Sequence, residues 1–252
     1  MTARIGLIVP SSNRMVEQEM VRHLPPDIAA HVTRLRMTGA HHVPLDELLP
    51  RVEEAAGLLT DARCDVVAFH CTANSMAEGS PGEAKLLGAL KEAGAPLATT
   101  TASAIRRALA ALGARRVVLL TPYSARVTEE EAEFLHAAGY EVLHARGFAL
   151  SGSDEYCRTP AQFWRDRAIE AARADADAYL ISCANIAVFA VIEEIEQKLG
   201  RPVVTSNQAV NWDALSLLGS GDRRRCPGRL FDTLGVGAAA AGRVSNPPLP
   251  LL

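Results

Sequence analysis

An internal repeat constrains the fold of this chain more than any other sequence feature. At an offset of 112 positions, segment 4–12 (RIGLIVPSS) matches segment 116–124 (RVVLLTPYS), and segment 65–71 (DVVAFHC) matches segment 177–183 (DAYLISC). A third pair of segments, 96–104 and 202–210, matches at an offset of 106. Similarity at a fixed offset indicates two copies of one structural unit. We therefore expect two similar lobes, over residues 1–112 and 113–225, with residues 226–252 packing back on them.

Each copy alternates short apolar runs with stretches of helical spacing. The apolar runs predict buried parallel strands, which we place at Ile5–Val9, Val66–Phe69, Val117–Leu120 and Tyr179–Ile181. Apolar residues three and four positions apart predict helices, which we place at Leu48–Ala62, Glu83–Ala93, Thr128–Ala138, Ala161–Ala174, Ala187–Leu199 and Leu230–Ala241. The third repeat pair predicts a short strand, a Thr/Ser-rich turn that caps a helix, and a glycine that ends it. The alternation predicts an α/β fold with two pseudo-symmetric, Rossmann-like lobes and mainly parallel sheets.

Small and polar residues follow the predicted strands, at the sheet edge where open parallel sheets bind ligands. Cys71 and Cys183 occupy equivalent positions in the repeat and are the catalytic candidates. If the lobes face each other about a pseudo-two-fold axis, these two thiols flank one cleft from opposite sides. The residues expected to bind a substrate there are Ser11, Asn13, Thr72, Ala73, Tyr123, Ser124, Ala184 and Asn185.

A pair of facing thiols indicates catalysis, whereas a single cysteine at a strand end is more often part of the packing. A thiol can be tuned to ionise near neutral pH, so it can act as nucleophile, general base or general acid. We expect both cysteines directly before a helix N-terminus, where N–H groups stabilise a thiolate and bind a carboxylate. The other cysteines, Cys64, Cys157 and Cys226, are expected to be structural. His70 is expected to be a buried structural residue, because successive strand residues point to opposite faces.

Composition and charge argue against several classes of protein. The net charge of -3, without a basic stripe, is not the footprint of a nucleic-acid binder. No apolar run approaches the roughly 20 residues that a membrane span needs. The N-terminus lacks the pattern of a signal peptide, so a cytoplasmic location is expected.

Cofactor motifs are also missing from the sequence. No Gly-x-Gly-x-x-Gly or Walker-type loop follows the first strand, so we expect no nucleotide cofactor. No Cys-x-x-Cys pair occurs, and His41-His42 has no third ligand at a suitable spacing, so we expect no metal site. The charged runs Glu129–Glu131 and Arg223–Arg225 are interpreted as solvated faces.

Several segments together resemble the aspartate/glutamate racemase superfamily, and within it the branch of maleate cis–trans isomerases and arylmalonate decarboxylases. The segments are Arg4–Asn13 with Glu17 and Glu19, Thr121–Tyr123, Ser182–Asn185, and Leu199–Ala209 with Trp212. The resemblance spans nearly the whole chain. It implies two related α/β lobes, one cysteine from each lobe in a shared site, and catalysis without a cofactor.

The same resemblance bears on the reaction. Decarboxylases of this branch have a glycine at the first cysteine position, so the presence of Cys71 favours an isomerase or a two-thiol racemase. Two departures bear on the substrate. Thr72-Ala73-Asn74 replaces the aliphatic run that follows the first cysteine in maleate isomerases, and Ser153 stands nearest to the position of their substrate-binding asparagine.

The leading hypothesis is isomerisation of maleate to fumarate, or of a similar small dicarboxylate. Cys71, as a thiolate, would add to an alkene carbon and allow rotation about the former double bond. Asn13, Tyr123 and the N–H groups that follow both cysteines would stabilise the enediolate, and Cys183 would control the proton at the neighbouring carbon. The alternatives are a two-thiol amino-acid or hydantoin-type racemase, an arylmalonate decarboxylase-like enzyme, and a non-catalytic protein that binds small carboxylates. A homo-oligomer is expected by analogy alone.

Overall fold

Two four-stranded parallel sheets organise the computed structural model, which describes residues 2–37, 43–222 and 226–235. The strands of the first sheet are β1 (Ala3–Pro10), β2 (Ile28–Leu35), β3 (Val66–Phe69) and β4 (Leu97–Thr100), in the order β2-β1-β3-β4. Those of the second sheet are β5 (Arg116–Thr121), β6 (Glu141–Gly147), β7 (Ala178–Ile181) and β8 (Val203–Thr205), in the order β6-β5-β7-β8. Every described strand pair is parallel. The predicted α/β fold is confirmed, and the order of strands repeats as the sequence does.

Helices connect the strands and cover both sheets. They are α1 (Leu45–Asp61), α2 (Thr72–Met76), α3 (Gly79–Glu92), α4 (Thr101–Ala111), α5 (Ala125–Ala137), α6 (Ser153–Arg158), α7 (Ala161–Glu170), α8 (Ile192–Leu199) and α9 (Ser206–Leu217). A π-helical turn at Val16–Met20 and 3₁₀ turns at Val21–His23 and Phe189–Val191 complete the connections. The helix predicted to begin at Ala187 begins only at Ile192, after the last of these 3₁₀ turns.

The helix predicted over Leu230–Ala241 is wrong for its described part. A 3₁₀ turn spans Arg229–Thr233, Leu234 is extended, and Gly235 has a φ of 81°, which ends any helical run. Leu230 and Phe231 are buried against the central core. The remainder of the predicted helix lies outside the described residues.

The alternation of side chains along each strand creates three apolar layers. In β1, Leu7 packs into a cluster between the two sheets, whereas Ile8 packs against α1 and α3 on the outer side of the first sheet. In β5, Leu119 faces the central cluster and Leu120 faces the outer cluster of the second sheet. Burying both faces explains why the central strands read as continuous apolar runs.

Helices α4 and α9 pack against each other between the sheets, and their first turns are alike. Thr100 caps α4 by accepting the N–H of Ser103, and Thr205 caps α9 by accepting that of Gln208. Gly113 and Gly219 follow these helices with φ values of 67° and 68°. The strand, cap, helix and glycine predicted for the third repeat pair are therefore confirmed.

The carboxyl ends of β1, β3, β5 and β7 converge between the two sheets and thereby position the candidate site. All strands of the first sheet fall within residues 1–112, and all strands of the second sheet within residues 113–225. We keep these lobe boundaries as a proposal. None of the described helices combines the length and apolar character that a membrane span requires.

Candidate active site

A cavity of about 500 Å³, measured to its open mouth, lies where the strand ends of the two lobes meet. Clefts of this size bind small molecules. Both predicted cysteines line the cavity, and none of its described wall residues carries a charge. The wall is formed by Pro10, Ser12, Asn13, Met37, Cys71, Thr72, Ala73, Asn74, Tyr123, Ser153, Tyr156, Cys183, Ala184 and Asn185.

Cys71 forms the wall from the first lobe, between the end of β3 and the start of α2. Its thiol donates a hydrogen bond to Asn74 Oδ1 at 3.6 Å, and Asn74 Nδ2 donates to the carbonyl of Val43 at 3.1 Å. Burial raises the pKa of Cys71 to about 11, and the N–H of Asn74 opposes this increase. The thiol is therefore protonated at neutral pH. As predicted, Cys71 directly precedes a helix.

Cys183 forms the opposite wall and is only 3 % exposed. Its Sγ accepts the N–H of Asn185 at 3.3 Å, and the nearby Tyr123 hydroxyl favours the thiolate and so lowers the pKa of Cys183. Burial nevertheless raises the pKa of Cys183 to about 12. The helix predicted directly after Cys183 is absent, because an irregular turn leads from it to the 3₁₀ turn at Phe189. A backbone N–H and a nearby phenol therefore act on this sulfur, in place of a helix N-terminus.

Asn13 and Asn185 hold the two lobes together at the floor of the cavity. Asn13 Nδ2 donates to the carbonyl of Ala184 at 2.9 Å, and its Oδ1 accepts the N–H groups of Met15 and Val16 at 3.0 Å each. Asn185 Oδ1 accepts the N–H of Arg14 at 2.9 Å. Asn13 thus caps the turn after β1 and also faces the cavity, as capping and ligand-binding groups share that location.

Two tyrosines line the cavity. Tyr123, one of the predicted residues, is buried, and burial followed by the proximity of Cys183 raises its pKa well above the usual value. It remains a hydrogen-bond donor at any physiological pH. Tyr156 was not predicted. Its ring meets that of Tyr123 edge-on, with centroids 5.8 Å apart, and its buried hydroxyl has no hydrogen-bond partner among the described residues.

Two predicted serines do not line the cavity. The Ser11 hydroxyl turns away to exchange hydrogen bonds with the backbone N–H and carbonyl of Met37, at 3.1 Å each. The Ser124 side chain caps α5 by accepting the N–H of Val127. Ser12 and Ser153 line the cavity in their place, and the Ser153 hydroxyl donates to that of Ser12 at 3.0 Å. Side chains in a turn diverge from one residue to the next, so adjacency to the strand end did not identify the correct serine.

Three further predicted residues lie in the wall as expected: Thr72, Ala73 and Ala184. The Thr72 hydroxyl donates to that of Ser206, at the start of α9, at 2.9 Å. This bond ties the turn that carries Cys71 to the second lobe.

The four residues expected to be structural lie outside the cavity wall. His70 is fully buried between Thr101 and Asn207, and burial lowers its pKa to about 4, so it stays neutral. Cys64 is buried in the outer core of the first lobe, and Cys226 contacts the carbonyl of His23. Cys157 lies beside the site, because its thiol donates to Asn185 Oδ1 at 3.1 Å.

The solvated face predicted at Glu129–Glu131 is wrong at its last residue. Glu129 is exposed, but Glu131 is 1 % exposed, because it lies on the face of α5 that packs into the protein. The predicted face at Arg223–Arg225 and the histidines at positions 41 and 42 lie outside the described residues. No cluster of metal-binding side chains occurs within the described ranges.

Comparison with known proteins places this cavity in a family. The family model for arylmalonate decarboxylase matches residues 5–231. The chain belongs to the arylmalonate decarboxylase family. It is 34 % identical over 235 residues to an arylmalonate decarboxylase of Bordetella bronchiseptica, covering 92 % of this chain and 97 % of that protein.

Relatives named for a second activity, maleate isomerisation, are also similar to this chain. A maleate isomerase of Geobacillus stearothermophilus is 30 % identical over 237 residues, which cover 85 % of this chain and 91 % of that protein. A solved structure of the Nocardia farcinica maleate cis–trans isomerase, with one cysteine replaced by serine, carries a covalently bound succinylcysteine intermediate. It superposes with a TM-score of 0.84 at 27 % identity, covering 91 % of this chain and 98 % of that one. The predicted resemblance to this branch is confirmed, and the chain belongs to a family of enzymes.

Proposed function

We propose that this protein is an isomerase that converts maleate, or a closely similar cis dicarboxylate, into its trans isomer. The observation that carries the proposal is the presence of both Cys71 and Cys183 in the wall of one cavity. The succinylcysteine seen in the Nocardia farcinica enzyme supports a covalent route through one cysteine. Maleate and fumarate differ only in rotation about a double bond, so forming a bond to sulfur gives the rotation a path.

The reaction begins when the Cys71 thiol, which is protonated at rest, releases its proton to solvent and becomes a thiolate. A C–S bond forms at one alkene carbon, while the π electron pair moves toward the carboxylate on the other carbon and gives an enediolate. The former double bond is now a single bond and can rotate. The electron pair then returns, the C–S bond breaks, and the trans alkene and the thiolate are regenerated. Where the carbanionic carbon is protonated before elimination, as in a succinyl adduct, the Cys183 thiol on the opposite wall donates that proton, and its thiolate takes it back before the C–S bond breaks.

Neutral hydrogen-bond donors are available for the developing charge. Tyr123 and Asn13 are the donors predicted from the sequence, and both line the cavity beside the cysteines. Tyr156 adds a hydroxyl that has no partner among the described residues, so it can donate to a carboxylate without breaking an existing bond. Donors that are fixed before the reaction stabilise an enediolate because they need no reorganisation.

Arylmalonate decarboxylation is the second candidate, and the family match and the 34 % identity to the Bordetella bronchiseptica enzyme favour it. In that reaction one thiol protonates the enediolate that remains after carbon dioxide leaves. Cys183 alone would suffice, so this candidate assigns no function to Cys71. A two-thiol racemase would use both cysteines, one to remove an α-proton and the other to return one.

Proton NMR of the purified protein with maleate in deuterated buffer tests the proposal. We expect fumarate to accumulate with the wild-type protein and not with Cys71→Ala. Cys64→Ala is the matched control: it removes a thiol from the outer core of the first lobe, so it should lower stability but leave turnover intact. A Cys71→Ala variant with wild-type turnover would eliminate the nucleophile assignment.

If no fumarate forms, the same samples are tested with an arylmalonate and with aspartate, glutamate and hydantoins. Loss of carbon dioxide from the arylmalonate would identify a decarboxylase. Deuterium entering the α-position of an amino acid or hydantoin would identify a racemase. Binding of a small carboxylate without turnover would leave the non-catalytic alternative. The expected cytoplasmic location and homo-oligomeric state stay predictions of the same proposal.

A further inference from the structure

Glu131 is a buried carboxyl group, on a helix that packs against α2, whose charge acts on both cysteines and which the mechanism above does not use. It lies on α5 and is 1 % exposed, whereas Glu129, on the same helix, is exposed to solvent. Within the described residues, neither oxygen of its carboxyl group makes a hydrogen bond. A buried carboxylate without partners is costly, so the group is best accommodated in its neutral form.

The repeat shows which hydrogen-bond partners Glu131 lacks. Glu19 occupies the equivalent position in the first lobe, at the offset of 112 that relates Cys71 to Cys183. Glu19 is also buried, but its Oε2 accepts the N–H groups of Val188 and Phe189, across the lobe boundary, at 2.8 Å each.

The equivalent N–H groups for Glu131 belong to Met76 and Ala77. They are occupied, because Cys71 is followed by helix α2, and the N–H of Ala77 donates to the carbonyl of Ala73 at 3.0 Å. No helix follows Cys183 directly, so the N–H groups in the second lobe are free to bind Glu19. Equivalent glutamates therefore differ in their hydrogen bonds: Glu19 accepts two backbone N–H groups, and Glu131 accepts none among the described residues.

The surroundings of Glu131 connect it to the site. Helix α5 packs against β5, β6, α2 and α3. The titratable groups that interact with the Glu131 charge are Tyr123 after β5, Cys71 before α2, Cys183 after β7 and Glu130 on the same helix. The Ser182 hydroxyl approaches the carboxyl group and favours its charged form slightly, although the pair does not reach hydrogen-bond geometry. These described neighbours include no cation.

The charge state of Glu131 and the pKa values of the two cysteines depend on each other. Burial raises the pKa of Glu131 to about 8, so the carboxyl group is protonated at neutral pH. The negative charge that Glu131 carries when it ionises is one of the causes that raise the pKa of Cys71 and of Cys183. A neutral Glu131 therefore makes a thiolate in this cavity less costly than an ionised one does.

We propose that Glu131 is a positioning residue that sets the charge of this site: its neutral form permits a thiolate at Cys71, and its ionised form opposes that thiolate. This proposal depends on the proposed isomerase function in one respect only, namely that the Cys71 thiolate acts as the nucleophile. Thiolate formation can be measured without any substrate. The effect of Glu131 can therefore be disproved independently of the isomerase function.

The test is the alkylation rate of Cys71 by iodoacetamide as a function of pH, with the modified cysteine identified by mass spectrometry. As long as the pH is below its pKa, a thiol that titrates alone is alkylated tenfold faster for each unit by which the pH increases. We expect the wild-type rate to rise less steeply through about pH 8, where Glu131 ionises. In Glu131→Gln the full slope should persist, because the charge can no longer form. The two proteins should react alike below about pH 7 and differ roughly tenfold above about pH 9, a shift of about one pKa unit.

Three controls separate this effect from a general loss of structure. Glu131→Met, which is also neutral, should reproduce the slope of Glu131→Gln. Glu19→Gln removes the equivalent charge in the first lobe and should leave the Cys71 profile as in the wild type. Cys157, modified in the same samples, is the internal reference. If neither Glu131 variant folds, the wild-type slope remains a test. A constant tenfold slope in the wild type, or identical profiles in all the proteins, would overturn the proposal whether or not fumarate is formed.

Discussion

Tyr156 lines the cavity next to Tyr123, with the two ring centroids 5.8 Å apart, and the charge of Cys183 acts on both phenols. Tyr156 lies on α6, whose segment has no part in the matched repeat segments, so the comparison of the two halves could not single it out. Its position, with an unpartnered hydroxyl, suits the second carboxylate of a dicarboxylate substrate.

Replacing Tyr156 with phenylalanine should therefore lower kcat/KM by about 10- to 100-fold, the range expected for one hydrogen bond to a charged group. The ring and its edge-on contact with Tyr123 would be kept, so stability should be unchanged. Steady-state kinetics on the substrate that the NMR assay identifies provides the measurement. Tyr140→Phe is the matched control, because that hydroxyl donates to the carbonyl of Arg106, away from the cavity. Equal kinetics for the two variants would show that Tyr156 does not bind substrate.

At the same scale, the repeat explains which residues could be predicted. Cys71 and Cys183 were found because both halves place a cysteine at the same strand end. Ser11 and Ser124 were chosen by the same adjacency, which does not specify the direction of a side chain in a turn. Glu131 was hidden in a charged run, where one residue in three or four can face inward on a helix.

At the scale of elements, the central strands and the capped helices were predictable and the outer strands were not. β1, β3, β5 and β7 are buried on both faces and read as apolar runs. β2 and β6 lie at the sheet edges, mostly half-buried, and contain residues such as Arg34 and His144. Neither has the strict alternation that identifies a strand, because an edge strand is only partly covered.

Gly147, at the end of β6, connects this edge strand to the site. A Cβ at this position would lie 2.5 Å from the carbonyl of Tyr123 and 3.1 Å from that of Ser124. Gly147→Ala should lower the free energy of unfolding by about 1–3 kcal/mol and, by displacing Tyr123, lower kcat as well. Denaturant unfolding and kinetics measure the two effects. Gly57→Ala, in α1 with nothing within 4 Å, should instead raise stability slightly. Wild-type behaviour of Gly147→Ala would show that β6 does not position Tyr123.

At the scale of the whole molecule, the pseudo-symmetry explains the placement of the site, and its departures explain the chemistry. Two lobes of the same strand order bring equivalent cysteines to one cavity. A helix follows only the first of these cysteines, and with this difference go the different surroundings of the two thiols and the different partners of Glu19 and Glu131. The repeat predicts the symmetric part of this arrangement. The asymmetric part depends on how each turn packs against the opposite lobe, which a match between two segments does not contain.

The contact that holds the lobes in this arrangement is itself testable. Asp213, on α9 and 1 % exposed, accepts a hydrogen bond from the buried Thr99 hydroxyl at 2.6 Å and from Arg107 at 2.8 Å, both from the first lobe. Asp213→Ala would leave these donors without their acceptor, so it should cost about 1–3 kcal/mol of unfolding free energy. Thr99→Val should lower the unfolding free energy by a smaller amount. The double variant should lose less than the sum of the two single losses, with a coupling energy of roughly 1 kcal/mol.

Denaturant unfolding of the four proteins in this cycle measures that coupling. Glu47→Gln, which removes an exposed ion pair with Arg51 on α1, is the control and should change stability by less than about 0.5 kcal/mol. Because Asp213 joins the lobes, its loss should also alter the alignment of Asn13 with Ala184 and lower kcat, whereas the control should not. Additive effects of the Asp213 and Thr99 substitutions would show that this buried contact does not couple the two lobes, and the central apolar layer between α4 and α9 would then be sufficient to hold them together.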